Sequence, residues 1–344
     1  MQEYILGGYT RRENEGLKTI QFDEVEGKFS QPTLIANIGS PTYVGLSRDK
    51  SLMFAIHRGA GEENSGIVAF RRDEHNNWQE ISRLLATKSS GCHVSYRESS
   101  QTVYVSNYGD GELDVYHLDE NDQLHHIQKI VHTGSSVHPN QEKAHIHMGL
   151  LTPNQNTLIV CDLGTDFVSL YAIDDEGKLS LSYEYKMPDG TGPRHAVLHP
   201  AKPIVYIIGE LNNTTNVLQI NDDLSFTLVQ TLDNVPNDYR TDAAGAAIRI
   251  TEDGKFLYAS SRFHDILTVF EVNEDNGLLT EIQKIGTVGQ IPRDFILDQT
   301  EHYVLVPHQD SDHLSVFYRN QETGKLSFID NATYAPECVC IALA

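Results

Sequence analysis

The chain repeats one pattern seven times, and such a repeat restricts the folds that are open to it. One marker of the repeat is a turn rich in Asp, Asn and Gly that ends in a large apolar residue, as in D-E-G-K-L and D-N-G-L-L. It recurs at intervals of 45 to 55 residues, at Phe29, Trp78, Leu124, Leu179, Leu224, Leu278 and Leu326. A period of this length indicates an architecture in which each unit packs against its neighbours.

A second marker occurs the same number of times. Each unit contains a short apolar strand that ends in a polar or small residue, as in V-Y-V-S-N and V-Y-I-I-G-E. These strands end at Gly8, His57, Asn107, Asp162, Glu210, Ser261 and His308. Because the two markers lie at different places in the unit, the count of seven does not depend on either one alone.

Each unit is predicted to contain four strands and no helix. In the second unit the strands cover residues 41–46, 51–58, 66–72 and 78–86, and turns rich in Asp, Asn, Gly and Ser separate them. Repeats of about 50 residues with four strands each are typical of β-propeller blades. We therefore predict an all-β fold, a seven-bladed β-propeller with four antiparallel strands per blade.

The two ends of the chain complement each other. The C-terminal P-E-C-V-C-I-A-L-A resembles the first strand of a unit, whereas residues 3–9 resemble a second strand. The C-terminus is therefore expected to supply the inner strand of the blade that the N-terminus begins, which removes the open edges of the array. No linker interrupts the repeats, and we expect a single domain over residues 1–344.

The charge balance limits the possible partners. The chain has 26 Lys+Arg against 48 Asp+Glu, a formal net charge of −22. This charge argues against nucleic acid or an anionic membrane as a partner. A small anionic substrate requires arginines that gather locally against the overall field.

Several features predict a cytoplasmic protein. None of the four cysteines, Cys92, Cys161, Cys338 and Cys340, belongs to a CxxC pair, and reduced buried thiols fit better than a disulfide scaffold. The N-terminus lacks the basic and apolar segments of a signal peptide. No apolar run reaches the ~18 residues needed to span a membrane.

The predicted fold brings distant polar residues to one place. In a propeller the first strand of each blade lines the central channel, and its start shares a rim with the end of the second strand. The first strands are predicted to start at Thr42, His93, His147, Arg194, Ala246, Arg293 and Glu337. The resulting ring is rich in groups that transfer protons or bind anions, although a satisfied polar network around a water-filled channel would have the same composition.

Arg194 and Glu210 form the most informative pair. They lie at the outer ends of two apolar strands joined by a Pro-containing turn, so a hairpin would bring them together at one edge of a sheet. An ordinary cross-strand salt bridge is one interpretation. In the functional interpretation the arginine binds an anion or a developing oxyanion, and the glutamate acts as acid or base. Arg293 occupies the same blade position as Arg194 and could add positive charge.

The remaining candidates are less specific. His147 is in phase with Arg194, and the H-I-H segment near Asp162 would also permit a metal site, although no third set of ligands is defined. Arg262 follows a second strand and could equally be a solvated loop residue. As residues that line the rim and contact the substrate we name His57, His93, Asp162, His195, Arg293 and His308.

Motifs of other enzyme classes are missing from the sequence. There is no glycine-rich phosphate loop before a helix and no G-x-S-x-G elbow. Hydrolysis, if it occurs, would therefore use activated water instead of a covalent intermediate. We expect no metal.

Several motifs together resemble the lactonase family of seven-bladed propellers, which includes the propeller-type 6-phosphogluconolactonases and the fungal 3-carboxy-cis,cis-muconate lactonizing enzymes. The motifs include Y-V-S-N-Y-G-D-G, D-L-G-T-D, G-P-R-H-A-V-L-H-P and F-L-Y-A-S-S-R. The similarity covers essentially the whole chain, and G-P-R-H followed by E-L is its most specific part.

The resemblance implies a cytosolic enzyme that acts on lactones without a required cofactor. By motif, the histidine, two arginines and glutamate of the muconate enzymes match His147, Arg194, Arg262 and Glu210. The leading hypothesis is hydrolysis of the anionic 6-phospho-D-glucono-1,5-lactone to 6-phosphogluconate in the pentose phosphate pathway. The alternatives are a muconate-type cycloisomerase or another lactonase, and a non-catalytic propeller that binds a metabolite or protein.

Overall fold

The computed structural model describes residues 1–60, 64–236, 238 and 243–344. Within these ranges the chain forms 29 β-strands and no α-helix. The strands build seven antiparallel sheets. We number the sheets as blades 1 to 7 in chain order.

Each blade has an inner strand at the channel, followed outward by its later strands. Blade 1 contains β1 (Gln2–Gly8), β2 (Leu17–Asp23), β3 (Lys28–Phe29), β4 (Thr33–Ala36) and β29 (Cys338–Leu343). Blade 2 contains β5 (Val44–Leu46), β6 (Leu52–His57), β7 (Ser65–Arg72) and β8 (Trp78–Thr87). Blade 3 contains β9 (His93–Arg97), β10 (Thr102–Asn107), β11 (Glu112–Leu118) and β12 (Leu124–Val131).

The remaining blades follow the same plan. Blade 4 contains β13 (Ile146–Leu151), β14 (Thr157–Asp162), β15 (Phe167–Ile173) and β16 (Leu179–Lys186). Blade 5 contains β17 (Pro193–Leu198), β18 (Ile204–Gly209), β19 (Thr214–Ile220) and β20 (Phe226–Asp233). Blade 6 contains β21 (Ala244–Ile250), β22 (Phe256–Arg262), β23 (Ile266–Val272) and β24 (Leu279–Gly286), and blade 7 contains β25 (Ile296–Leu297), β26 (Tyr303–Pro307), β27 (His313–Arg319) and β28 (Leu326–Tyr334).

The two chain ends close the ring. Strand β29 pairs antiparallel with β1, with Leu6 opposite Ile341 and Gly7 opposite Cys340. The C-terminus therefore supplies the inner strand of the blade that the N-terminus begins, as expected. The predicted seven-bladed propeller with four antiparallel strands per blade is confirmed, except that blade 1 has an additional short strand.

The apolar core lies between neighbouring blades. The second strand of a blade is buried on both faces, as in β6, where all six residues are buried. Outer strands are more exposed, as in β16, where only the first residue is buried and the last residues alternate between half-buried and exposed. Between blades 2 and 3, Phe54 and Ile56 pack with Val103 and Tyr116 in one cluster. This packing buries the apolar faces that a lone sheet would leave in water.

Two inner strands are shorter than expected. The structure has β5 at Val44–Leu46 where the sequence predicts 41–46, and β25 covers only Ile296–Leu297. Positive φ angles at Ser40 (37°) and Ile291 (59°) turn the backbone just before these strands. Thr42 and Arg293 therefore lie on the loops that lead into the channel.

All four cysteines are free thiols. In the part of the chain that the structure describes, no helix has the length and apolar character required to cross a membrane.

Candidate active site

The channel opens into a cavity of about 750 Å³ on the rim where the inner strands start. Its described lining contains five cationic side chains, two carboxylates and two imidazoles. They are Arg58, Lys88, Arg194, Arg262, Arg293, Glu210, Asp294, His147 and His195. Positive charge is therefore concentrated here, although the whole chain carries a formal net charge of −22.

Glu210 lies at the centre of an arginine cluster. Its oxygen Oε2 is 2.9 Å from Arg194 Nε and 2.8 Å from Arg262 Nη2. Both contacts use the same oxygen, and Oε1 makes no hydrogen bond with any described residue. The Arg194 side chain is 2% exposed and the Glu210 side chain is 16% exposed, so the pair is buried but reaches the cavity.

Hairpin pairing explains why Arg194 and Glu210 meet. Strand β17 pairs antiparallel with β18, and the backbone N–H of Glu210 donates to Gly192 O at 2.8 Å. Arg194 also donates from Nη1 to Ala246 O on the inner strand of blade 6, and Arg262 Nη2 lies 3.4 Å from Gly245 O. The two guanidiniums thus tie Glu210 to two blades at once.

The cluster keeps the carboxylate ionised. Burial by itself would raise the pKa of Glu210. The guanidiniums of Arg262, Arg194 and Arg293 outweigh burial, and the pKa lies below its ordinary value. Burial and the neighbouring Arg293 and Arg262 lower the pKa of Arg194, yet a guanidinium stays protonated in proteins.

Arg293 is the cation of this group that is available to a ligand. It lies on the loop before β25, is partly exposed and lines the cavity. Its side chain has no hydrogen bond or ion pair with any residue in the described ranges. Because buried or cavity-facing guanidiniums are normally paired, Arg293 is suited to bind an anion or a developing oxyanion.

His147 is a neutral imidazole beside this cluster. Burial lowers the pKa of His147 well below its ordinary value, and the guanidiniums of Arg194 and Arg293 lower it further. Its Nδ1 has no hydrogen-bond partner among the described residues. The His195 ring stands edge-on at a centroid distance of 5.2 Å, and burial also lowers the pKa of His195 well below its ordinary value.

Local bulges place His147 and Arg194. The pairing of β13 with β14 shifts register between Ile146 and Met148, and that of β17 with β18 shifts between Pro193 and His195. His147 and Arg194 are the extra residues in these two bulges. A bulge redirects a side chain from the regular alternation of a strand, and bulges are common beside active sites.

Comparison with known proteins assigns the chain to a family. The family model described as "Lactonase, 7-bladed beta-propeller" matches residues 3–343. The chain belongs to this family. Across 346 aligned residues it is 32% identical to a 6-phosphogluconolactonase from Bacillus subtilis, and the alignment covers 99% of this chain and 98% of that protein.

Solved structures share the fold of the whole chain. A protein from Lactobacillus plantarum is 33% identical with a TM-score of 0.94, and the match covers 100% of this chain and 99% of that one. The periplasmic gluconolactonase of Pseudomonas aeruginosa is 25% identical with a TM-score of 0.92 over 100% of this chain and 99% of that one. The family and its relatives support a lactonase-type hydrolase.

The four positions implied by the resemblance to the lactonase family lie together. His147, Arg194, Glu210 and Arg262 all line the one cavity, as do His195 and Arg293. His93 is absent from the lining of the cavity, and its ring contacts that of Tyr43 in a tilted arrangement at a centroid distance of 4.4 Å. Burial lowers the pKa of His93 to about 3, with smaller contributions from Arg249 and Arg194.

Three other candidates do not line this cavity. His57 Nδ1 accepts the backbone N–H of Gly39 at 3.1 Å, and His308 Nε2 lies 3.0 Å from Ser315 Oγ. Asp162 accepts the backbone N–H of His145 at 2.8 Å and contacts His132 Nδ1 at 2.9 Å. His57, Asp162 and His308 are absent from the lining of this cavity, and their contact with substrate stays a prediction.

The H-I-H segment does not assemble a metal centre. His145 stacks on Tyr108 at 4.2 Å and its Nδ1 lies 2.8 Å from Tyr108 O. Asp162 contacts His145 through the backbone and not through the ring. Across residues 1–60, 64–236, 238 and 243–344, no group of three or more His, Cys, Asp or Glu side chains could hold a metal ion.

Sequence reasoning missed several lining residues by a single position. Tyr9, Arg58 and Tyr108 line the cavity and directly follow the last residues of β1, β6 and β10. Glu210 has the same relation to β18. Successive residues of a strand point to opposite faces. In these blades the residue just beyond the strand end, and not the last residue of the strand, is therefore the one that faces the cavity. Lys88 follows the outer strand β8, whereas Tyr43 and Asp294 had no comparable signal.

Proposed function

We propose that the protein hydrolyses 6-phospho-D-glucono-1,5-lactone to 6-phosphogluconate, with water as the nucleophile. The observation that carries the proposal is Glu210 on the wall of a cationic cavity, with one carboxylate oxygen held by two arginines and the other without a hydrogen bond among the described residues. The named function of the Bacillus subtilis relative supports the same substrate. An anionic substrate matches the local excess of positive charge.

The geometry suggests how the residues divide the chemistry. Glu210 Oε1 accepts a proton as the water oxygen bonds to the lactone carbonyl carbon. Arg293 stabilises the negative charge that develops on the carbonyl oxygen. When the bond from that carbon to the ring oxygen breaks, the proton passes from Glu210 to the ring oxygen, and the carboxylate is regenerated.

His147 plays a different part in this scheme. Because its imidazole is neutral, it can donate a hydrogen bond to the lactone without adding a further charge beside the arginines. Arg194 and Arg262 hold the Glu210 carboxylate in position. The low pKa of Glu210 makes it a weak base, but an activated lactone requires only the ~10²–10⁴-fold acceleration that general acid–base catalysis typically supplies.

Substitution of two residues tests the proposal. Hydrolysis of the phosphorylated lactone is followed by acid release for the wild type, Glu210→Gln and Arg194→Ala, with the buffer blank subtracted. We expect kcat to fall by about 10²-fold or more in Glu210→Gln, because the amide keeps the shape but cannot accept the proton. If all three proteins hydrolyse the lactone at the rate of the blank, the proposed function is wrong.

A second candidate substrate is glucono-1,5-lactone without phosphate. The structural likeness to the gluconolactonase of Pseudomonas aeruginosa favours it. A panel of lactones with and without phosphate separates the two, and inclusion of a carboxymuconate tests the cycloisomerase alternative. An imidazole, a carboxylate and several arginines line one cavity. This arrangement does not favour the alternative of a propeller that only binds a metabolite or protein.

The proposal puts this reaction in the pentose phosphate pathway and in the cytoplasm. Four free cysteines fit a reducing compartment. Since the Pseudomonas neighbour is named as periplasmic, cell fractionation followed by immunodetection is the direct test of location. Recovery of the protein outside the cytoplasm would contradict this part of the proposal.

A further inference from the structure

Two cations on the cavity wall take no part in the arginine cluster around Glu210. Arg58 directly follows β6, and Lys88 directly follows β8, so both belong to the rim of blade 2. Both line the cavity and both are exposed. Within the described ranges, neither side chain makes a hydrogen bond or an ion pair.

These cations lie across the cavity from the proposed chemistry. Glu210 and Arg194 belong to blade 5, and Arg262 ends β22 of blade 6. In a ring of seven blades, blade 2 stands opposite the junction of blades 5 and 6. The cavity therefore has a cationic wall on one side and the Glu210 cluster on the other.

Cations without a partner among the described residues are unexpected in this chain. It carries 48 acidic residues against 26 basic ones, and several other arginines form ion pairs, such as Arg72 with Glu3 at 2.7 Å. The carboxylates among the described lining residues, Glu210 and Asp294, are held by other arginines.

The surroundings of Arg58 and Lys88 can also serve an anion. Ser65 and Ser90 add hydroxyl groups to the same wall. Ser65 Oγ accepts the backbone N–H of Gly59 at 3.1 Å, which orients the hydroxyl. A phosphate group takes charge-assisted hydrogen bonds from guanidinium and ammonium groups together.

We propose that Arg58 and Lys88 form a subsite for the phosphate of a phosphorylated sugar lactone whose carbonyl lies at Glu210. This inference rests on the proposed function. Arg194 and Arg262 already form ion pairs with Glu210, so they are less suited than Arg58 and Lys88 to bind the phosphate. The phosphate is several bonds away from the carbonyl carbon, which allows the two walls to bind the two parts of one substrate.

The test compares two substrates in matched variants. The kcat/KM for 6-phospho-D-glucono-1,5-lactone and for glucono-1,5-lactone is measured in the wild type and in the double variant Arg58→Gln/Lys88→Gln. We expect kcat/KM for the phosphorylated lactone to fall by ~10-fold or more, because charge-assisted hydrogen bonds to the phosphate are lost. The value for the unphosphorylated lactone should stay within about twofold.

Lys325→Gln is the control, because Lys325 is an exposed lysine that does not line the cavity. It should leave both substrates unchanged. The inference is overturned if the double variant loses activity equally on both substrates, or on neither.

A binding measurement separates the subsite from the proposed function. Calorimetry with 6-phosphogluconate and with gluconate needs no turnover. One outcome would refute the proposed function and support the subsite. In it, the wild type hydrolyses no lactone but binds 6-phosphogluconate more tightly than gluconate, and the double variant binds the two acids equally. Equal affinity of the wild type for the two acids would contradict the proposed phosphate subsite.

Discussion

Glu210 and His147 differ in charge although both are buried at the same cavity. Burial alone would favour the neutral form of each group. For His147 the neighbouring guanidiniums act in the same direction, so the imidazole stays neutral. For Glu210 they act in the opposite direction and prevail, so the carboxylate stays ionised. The arginine cluster thus reinforces the effect of burial on the pKa of His147 and overrides the effect of burial on the pKa of Glu210.

The pH profile of kcat/KM should reflect this cluster. Because the pKa of Glu210 and that of His147 both lie below their ordinary values, acidification from pH 7 to 5.5 should leave the required ionised carboxylate and neutral imidazole in place. We expect kcat/KM to stay within about twofold over this range, measured against buffer blanks with circular dichroism at each pH as a control for folding. A fall with a midpoint near the ordinary histidine pKa of ~6.5 would contradict the assignment.

At the scale of strands, the site depends on close contact between blades 5 and 6. Gly245 lies in β21, where the pairing with β22 shifts register between Gly245 and Ile248. A Cβ atom at Gly245 would lie 2.5 Å from the backbone oxygen of Gly209, which is the residue just before Glu210. The missing side chain lets the inner strand of blade 6 approach the end of β18, and Gly245 O also faces Arg262.

Gly245→Ala should therefore disturb both stability and activity. The added methyl group meets backbone and cannot be accommodated by a side-chain rotation, so we expect a loss of about 1–3 kcal/mol in the free energy of unfolding and a reduced kcat. Gly286→Ala is the matched control, because a Cβ there has no atom within 4 Å. Equal urea-unfolding midpoints and equal kcat values for the two variants would show that the contact is unimportant.

At the scale of the whole molecule, the propeller buries neutral histidines on several blades. Burial lowers the pKa of His93 on blade 3 and of His308 on blade 7 to about 3. The unfolded chain would protonate each near the ordinary pKa of ~6.5. Below that pH the unfolded state binds more protons, so the stability of the folded ring falls as the pH decreases from about 6.5 toward 3.

This linkage predicts a pH-dependent free energy of unfolding. Each such histidine contributes a slope of up to about 1.4 kcal/mol per pH unit within that window. Urea unfolding at pH 7 and pH 5 should show lower stability at pH 5. The variant His308→Gln removes one titrating group away from the cavity and should show a smaller difference between the two pH values. An identical difference in the variant would exclude a contribution of His308.

The sequence by itself determined the number of blades, their four strands and the closure by the C-terminal strand. These features follow from periodic patterns, in which each of seven units repeats the same signal. It also determined the pairing of Arg194 with Glu210, because a hairpin with a short turn leaves little freedom of register. The resemblance to the lactonase family named the four residues that share the cavity.

Only the tertiary structure decided which neighbouring residues face that cavity. Arg58 lies in its lining and His57 does not, although they are adjacent in the sequence. Strand ends and bulges depend on packing between blades, and a shift of one residue moves a side chain to the opposite face. For the same reason only the tertiary structure shows that Arg58, Lys88 and Arg293 have no hydrogen-bond or ion-pair partner among the described residues.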